Sequence, residues 1–285
     1  MDLQGRSRSG ADLLSLCDWI APRLQAYSQS PLALLAFDSC HAFLPVFWAC
    51  LRLGIPALPL ALPTSAAEQQ REAERIATAY EGALLLYDEG GAVFAHAIAQ
   101  AGTSVQALSV SALCTAAIRP NLAPRDLSPE APAYVLETSG TTGIPRAACF
   151  CGQSEPAELL DRAVLWLFPL SSSSGISGAF AQHRVTAFLP LREAIRDPDR
   201  LLALIEHHRI TGFAMPPVLL SALLRHLREP SGPLERRDLS SLTRINIGSA
   251  ASNPADIAAL QELLADWGLA SGVLHTGYGL TETGV

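Results

Sequence analysis

The residue types best suited to chemistry form one stretch, Thr138-Ser139-Gly140-Thr141-Thr142-Gly143-Ile144-Pro145-Arg146. Glycine lets the backbone approach a ligand closely, and successive backbone N–H groups in such a turn can surround an anion. The hydroxyl groups add hydrogen-bond donors, and the Arg146 guanidinium adds a fixed positive charge with a geometry suited to phosphate. The composition predicts a loop that holds a polyphosphate, although many polar surface loops have the same composition.

Two common nucleotide motifs do not describe this loop. It lacks the Gly-Lys-Ser/Thr ending of a Walker A loop, and its glycine spacing differs from that of the Rossmann fingerprint. No Gly-x-Ser-x-Gly elbow occurs in the sequence, so a serine hydrolase is not indicated.

A second motif occurs at the end of the sequence, Gly277-Tyr278-Gly279-Leu280-Thr281-Glu282-Thr283. Together, the two stretches resemble signature motifs of the adenylate-forming superfamily, which includes acyl-CoA synthetases, fatty acyl-AMP ligases, adenylation domains of peptide synthetases and luciferases. In that family the first motif has the form Thr-Ser-Gly-(Ser/Thr)-Thr-Gly-x-Pro-Lys-Gly, and the second has the form Tyr-Gly-x-Thr-Glu. Both occur here in the same order.

The resemblance implies a role for each matching residue. The β- and γ-phosphates of ATP would be held by Thr138, Ser139, Gly140, Thr141, Thr142 and Gly143, with Arg146 where the family has lysine. Gly248, Ser249 and Ala250 would line the adenine, and Tyr278 and Gly279 would belong to the same pocket, with Tyr278 stacked on the base. Thr281 would contact the α-phosphate. Glu282 would bind Mg²⁺, for which a carboxylate oxygen is a suitable ligand.

The reaction implied by the resemblance joins a carboxylic acid to the α-phosphate of ATP. The acyl-adenylate would then pass its acyl group to a thiol, either coenzyme A or a carrier-protein arm. Residues 51–63, with Leu51-Arg52-Leu53-Gly54 and the prolines that follow, resemble fatty acyl-AMP ligases more loosely, which supports the fold more than the substrate. The general resemblance of the sequence favours fatty or other medium to long acyl chains over amino acids. A non-catalytic nucleotide-binding or scaffold protein derived from this fold is the alternative.

Three departures from the family pattern support that alternative. The sequence contains no lysine, Arg146 replaces the motif lysine, and Ser171 to Ser174 stand where relatives often have an aromatic residue. The resemblance covers about the first half of a full-length relative, and relatives continue into a C-terminal domain with a catalytic lysine. We therefore expect this chain alone to be a poor catalyst with an exposed apolar face, completed by a second chain that supplies the remainder.

Composition limits the other possibilities. The chain has 285 residues and a formal net charge of −7, which argues against a nucleic-acid surface. Its six cysteines form no CxxC pair. Residues 1–10 are polar, and no apolar stretch long enough for a membrane span lacks both charge and proline. We expect a soluble cytoplasmic protein.

Strand-like and helix-like segments alternate with short connections, which predicts mainly parallel sheets flanked by helices. We expect a first α/β subdomain at 1–112, a proline-rich linker at 113–132, and a second α/β subdomain at 133–285 that carries the phosphate loop. The apolar run at 133–136 is predicted to be the strand that leads into that loop.

Overall fold

The structure is a computed structural model that describes residues 7–101, 104–113, 131–138, 146–151, 160–180, 183–230 and 232–277. The described residues belong to two compact units. The first unit consists of Ser7–Glu155 with Leu170–Ser172, and the second contains Pro156–Pro169 and Ser173–Val285.

The first unit contains a six-stranded sheet with the strand order β4-β3-β1-β2-β5-β6. Its strands are β1 Ala33–Ala36, β2 Ala57–Pro59, β3 Leu84–Tyr87, β4 Gln106–Ser109, β5 Pro132–Thr138 and β6 Arg146–Cys151. All neighbouring strands are parallel except β5 and β6, which are antiparallel. The accompanying helices are α1 Gly10–Leu24 with a 3₁₀ turn at Gln25–Tyr27, α2 Cys40–Leu53, α3 Ala66–Ala79, α4 Ala92–Ala101 and α5 Val110–Leu113.

Local sequence signals explain the limits of two of these helices. Gly54 adopts a left-handed conformation with φ of 67° at the end of α2, where its N–H reaches the carbonyl groups of the last turn. The Ser65 hydroxyl accepts a hydrogen bond from the Glu68 N–H and so caps α3. The face of α3 that carries Ala73 and Ile76 packs into the apolar core of this unit.

The second unit contains a five-stranded parallel sheet with the order β11-β10-β9-β7-β8. Its strands are β7 Leu160–Trp166, β8 His183–Phe188, β9 Gly212–Met215, β10 Arg244–Ile247 and β11 Leu274–Thr276. Its helices are α6 Ser173–Phe180, α7 Leu191–Arg196, α8 Pro198–His207, α9 Pro217–Arg228 and α10 Pro254–Ala265. The predicted α/β class with mainly parallel sheets is therefore confirmed.

Three details differ from the sequence-based expectation. The strand at 132–138 pairs with β2 in the sheet of the first unit, so it does not begin the second one, and the division between the units falls after Glu155. The strand β6 was not predicted, because an antiparallel edge strand directly after a glycine-rich loop has only a weak apolar pattern. The sequence pattern assigned no element to the serine run at 171–174, and in the structure α6 begins within it, at Ser173.

Candidate functional site

The two ends of the predicted phosphate loop lie directly opposite each other in the first unit. Thr138 is the last residue of β5, Arg146 is the first residue of β6, and the two are paired across the antiparallel ladder. Thr138 is buried and Arg146 is exposed. The intervening predicted ligands fall outside the described residues: Ser139, Gly140, Thr141, Thr142 and Gly143. A β-hairpin therefore holds the ends of this loop together.

A close backbone approach marks the predicted adenine loop in the second unit. Gly248 directly follows β10, and Gly277 directly follows the neighbouring parallel strand β11. The Gly277 N–H donates a hydrogen bond to the Ile247 carbonyl oxygen at 2.9 Å. A Cβ atom at Gly248 would lie 2.9 Å from the Gly277 carbonyl oxygen, which is too close for a real contact. Glycine at 248 is thus required by the neighbouring backbone.

The loop that follows β10 has two unusual features, a positive φ at Ser249 and an unsatisfied hydroxyl at Ser252. Ser249 is exposed and has a φ of 75°, a left-handed conformation that side chains other than glycine, asparagine and aspartate rarely adopt. Such backbone strain is concentrated at functional sites. The Ser252 hydroxyl oxygen is buried and has no hydrogen-bond partner among the described residues. A strained residue and an unsatisfied polar atom fit a loop that receives a polar ligand.

The second signature motif begins where the described part of the chain ends. Tyr278, Gly279, Thr281 and Glu282 lie outside the described residues. The residue before them, Gly277, is held beside Gly248 at the carboxyl ends of two parallel strands. In open α/β sheets, ligands bind outside the carboxyl ends of the strands. The structure therefore brings Ala250, Ser249 and Gly248 to the same sheet edge as the start of the Tyr278 motif.

Sequence reasoning missed a charged network beside Thr138. The Glu137 carboxylate accepts two hydrogen bonds from the Arg75 guanidinium, each 2.7 Å long, and one from the Tyr80 hydroxyl at 2.7 Å. Arg75 also donates from Nε to the Glu72 carboxylate at 2.8 Å. The only signal in the sequence was a glutamate at the end of an otherwise apolar strand, because Arg75 and Glu137 lie 62 positions apart.

The network changes the titration of its members in the expected directions. Burial, together with the hydrogen bond to Glu137, raises the pKa of the Tyr80 phenol well above its usual range. The hydrogen bonds to Glu137 raise the pKa of the Arg75 guanidinium above its usual value. At neutral pH, Tyr80 therefore remains a hydrogen-bond donor, and the Arg75–Glu137 contact is a bidentate ion pair, which is among the stronger hydrogen-bonded arrangements.

The described residues include no group of three or more His, Cys, Asp or Glu side chains placed to hold a metal ion. Mg²⁺ at nucleotide sites commonly takes one or two carboxylates and several phosphate oxygens, so a single glutamate such as Glu282 suits that chemistry.

Among the described helices, none is long and apolar enough to cross a membrane.

Sequence comparison finds curated relatives with the same degree of identity but different activity. The chain is 28% identical over 265 residues to atromentin synthetase invA1 and 28% identical over 258 residues to inactive atromentin synthetase invA6, both from Paxillus involutus. Each alignment covers 83% of this chain, and 27% and 26% of those proteins. The chain thus spans about a quarter of the length of these relatives.

Solved structures share the fold at low sequence identity. The adenylation domain of a keto acid-selecting NRPS module bound to keto acyl adenylate matches with a TM-score of 0.80 and 20% identity, over 97% of this chain and 55% of that one. A structure from a study of fatty acyl-adenylate ligases from E. coli and L. pneumophila matches with a TM-score of 0.77 and 20% identity, over 95% and 51% of the two chains.

The model of a protein family described as AMP-binding enzyme matches residues 2–285 of this chain. This range includes both signature motifs and all the strands described above. That match extends over nearly the whole chain and agrees with the fold shared with adenylation domains and acyl-adenylate ligases. The chain therefore belongs to the AMP-binding enzyme family and carries an adenylate-forming domain fold.

Proposed function

We propose that this chain is the ATP-binding part of a ligase that converts a carboxylic acid to an acyl-adenylate, with release of pyrophosphate and later transfer of the acyl group to a thiol. Family membership supports the reaction class. Because the chain spans about a quarter of its curated relatives, the activity of the whole protein is part of the proposal.

The observation that carries this proposal is the hairpin that pairs Thr138 with Arg146. It fixes both ends of a loop of glycines and hydroxyl residues, with a permanent cation at one end. Nucleotidyl transfer needs positioning and charge neutralisation more than covalent chemistry, and such a loop supplies both. Arg146 keeps the charge of the family lysine but presents a planar fork in place of a compact ammonium group.

The remaining roles follow the motif. We assign the phosphate loop to the β- and γ-phosphates, Gly248 to Ala250 and Tyr278 to the adenine, and Thr281 to the α-phosphate. Mg²⁺, held by the Glu282 carboxylate, would neutralise phosphate charge. The obligatory glycine at 248 and the unsatisfied Ser252 hydroxyl support a ligand at this sheet edge.

We further propose a fatty acid as the substrate, with coenzyme A or a carrier-protein thiol as the acceptor. The general resemblance of the sequence to fatty acyl-AMP ligases and the structural match to a fatty acyl-adenylate ligase support this choice. The matching keto acid-selecting domain makes a keto acid the competing substrate class. Both classes present one carboxylate to the same reaction.

ATP–pyrophosphate exchange with the 285-residue chain tests the reaction. We expect exchange with fatty acids to be slow, as for a poor catalyst whose sequence contains no lysine, and we expect Glu282→Ala to reduce it by at least about tenfold because metal binding is lost. The matched control is Glu262→Ala, which removes an exposed carboxylate on α10 and should leave exchange unchanged.

The panel of acids separates the proposals from each other. Higher exchange with keto or aryl acids than with fatty acids would contradict the substrate class but keep the reaction. Binding of MgATP without exchange for any acid would favour the non-catalytic nucleotide-binding protein, which the absence of lysine in residues 1–285 also favours. Absence of both binding and exchange would contradict the proposed function.

A further inference from the structure

We propose that Arg75 is a positioning residue for the nucleotide, acting through Glu137: it holds this carboxylate at the end of β5 and neutralises its charge beside the phosphate loop. The inference rests on the proposed function, since it concerns the affinity of the same loop for MgATP. It assigns a role to a helix residue that lies outside both signature motifs.

The contact between Arg75 and Glu137, called the clamp below, is a bidentate ion pair. Arg75 NH1 and NH2 each lie 2.7 Å from a different oxygen of Glu137, so the guanidinium and carboxylate are joined by two parallel hydrogen bonds. The two side chains are only 27% and 21% exposed. The Tyr80 hydroxyl donates a third hydrogen bond to Glu137, at 2.7 Å from Oε1. A bidentate pair that is mostly shielded from water fixes orientation as well as distance.

The clamp acts on the residue from which the loop starts. Glu137 directly precedes Thr138, and consecutive Cα atoms are about 3.8 Å apart. Side chains alternate along a strand, so Glu137 and Val135 share one face of β5. Val135 belongs to the apolar core that also contains Ala73 and Ile76 of α3. Arg75 therefore ties the carboxyl end of β5 to the helix that packs beneath it.

Electrostatics gives the clamp a second consequence. A free carboxylate one residue before an anion-binding loop would repel a polyphosphate, because like charges repel more strongly at a partly buried site than in water. The guanidinium of Arg75, which is bound directly to Glu137, offsets this charge. Arg75 is also held by Glu72 at 2.8 Å, which keeps the guanidinium in place when the nucleotide is absent.

Variants that remove the charge of Arg75, of Glu137 or of both can distinguish an electrostatic role of Arg75 from a purely structural one. We would measure the Kd for MgATP of the full chain in four variants: Arg75→Met, Glu137→Gln, the double variant with both changes, and Arg71→Met. Arg71 is an exposed arginine one turn earlier on α3, so its replacement changes the net charge equally and serves as the matched control.

We expect Arg75→Met to raise the Kd by about tenfold, because it leaves Glu137 charged and unpaired beside the loop. Glu137→Gln should not weaken binding, and the double variant should return the Kd to within about threefold of the wild-type value. The effect of Arg75→Met should shrink at about 0.5 M salt, since salt screens repulsion. Arg71→Met should bind like the wild type.

A purely structural role makes the opposite prediction, in which the double variant binds at least as weakly as Arg75→Met. That result, or equal Kd values for Arg75→Met and Arg71→Met, would overturn the inference while leaving the proposed function intact. Absence of MgATP binding by the wild-type chain would overturn both. Glu137→Gln keeps hydrogen-bonding capacity on the strand, so it tests the charge even if Arg75→Met folds poorly.

Discussion

At the scale of single residues, the loop after β10 shows how backbone geometry restricts the choice of residue. Gly248 has no room for a side chain because of the Gly277 carbonyl oxygen, and Ser249 has a positive φ. A residue other than glycine in this conformation costs on the order of 1 kcal/mol. The protein tolerates this cost at a sheet edge where we propose that adenine binds.

Gly248→Ala is expected to weaken both the fold and nucleotide binding. The new Cβ would lie 2.9 Å from the Gly277 carbonyl oxygen, so the ends of β10 and β11 must move apart. We expect a loss of about 1–3 kcal/mol in the free energy of unfolding by urea, as for other overpacked sites. The Kd for MgATP should rise by about tenfold, because the loop moves with the strand end.

The control for this change is Gly232→Ala, since a Cβ there meets nothing within 4 Å. We expect it to be neutral in both measurements. If Gly248→Ala retained the wild-type Kd while losing stability, the loop would have a structural role only.

At the scale of helices and strands, short-range signals carried most of the information. The Asp197-Pro198 pair has the residue types typical of a helix start, and at the start of α8 the Asp197 side chain accepts a hydrogen bond from the Arg200 N–H at 3.1 Å. Asn253 caps α10 in the same way through the Ala255 N–H. These signals are local, because a capping side chain bonds to a backbone group two or three positions away.

Asp197→Ala should destabilise α8 by about 1 kcal/mol, because it removes this cap and a negative charge at a helix N-terminus. Amide hydrogen exchange in the first turn of α8 should become faster, and the urea midpoint should fall. Asp197→Ser retains a capping oxygen and should lose much less stability than Asp197→Ala. Equal losses for the two variants would show that the hydroxyl or carboxylate oxygen is not what stabilises this end.

At the scale of the whole molecule, long-range pairing limited what the sequence could predict. The alternation of strands and helices was enough for the α/β class and for mainly parallel sheets. It was not enough to show that the strand leading to Thr138 pairs with β2, which lies more than 70 positions earlier, because no local pattern specifies a partner strand.

The same limit applies to the candidate site. Residue types alone indicated the phosphate loop, whereas the resemblance to adenylate-forming enzymes indicated the loop at 248–250 and the Tyr278 motif. The Arg75–Glu137 pair could not be predicted, since its two members are 62 positions apart and neither lies in a motif. Side-chain pairs of this kind depend on how a helix packs against the sheet, and no local sequence pattern specifies that packing.

The stability of the molecule should fall on acidification in two separate ranges. Burial, with a smaller contribution from His207, lowers the pKa of His208 below its ordinary value of 6.5. Hydrogen bonds from Ser240 and then from Arg209 lower the pKa of Asp238 from 3.8 to about 2. Both groups bind fewer protons in the folded state than in the unfolded state, so stability rises with pH in each range.

The contribution of His208 is therefore complete above about pH 6.5 and is lost as the pH falls below that value, whereas that of Asp238 is complete above about pH 4 and is lost toward about pH 2. We would compare urea midpoints at about pH 7.5 and about pH 5.5. His208→Gln should reduce the decrease between these two values, and Asp238→Asn should leave it unchanged. An undiminished decrease in His208→Gln would mean that other groups take up the proton.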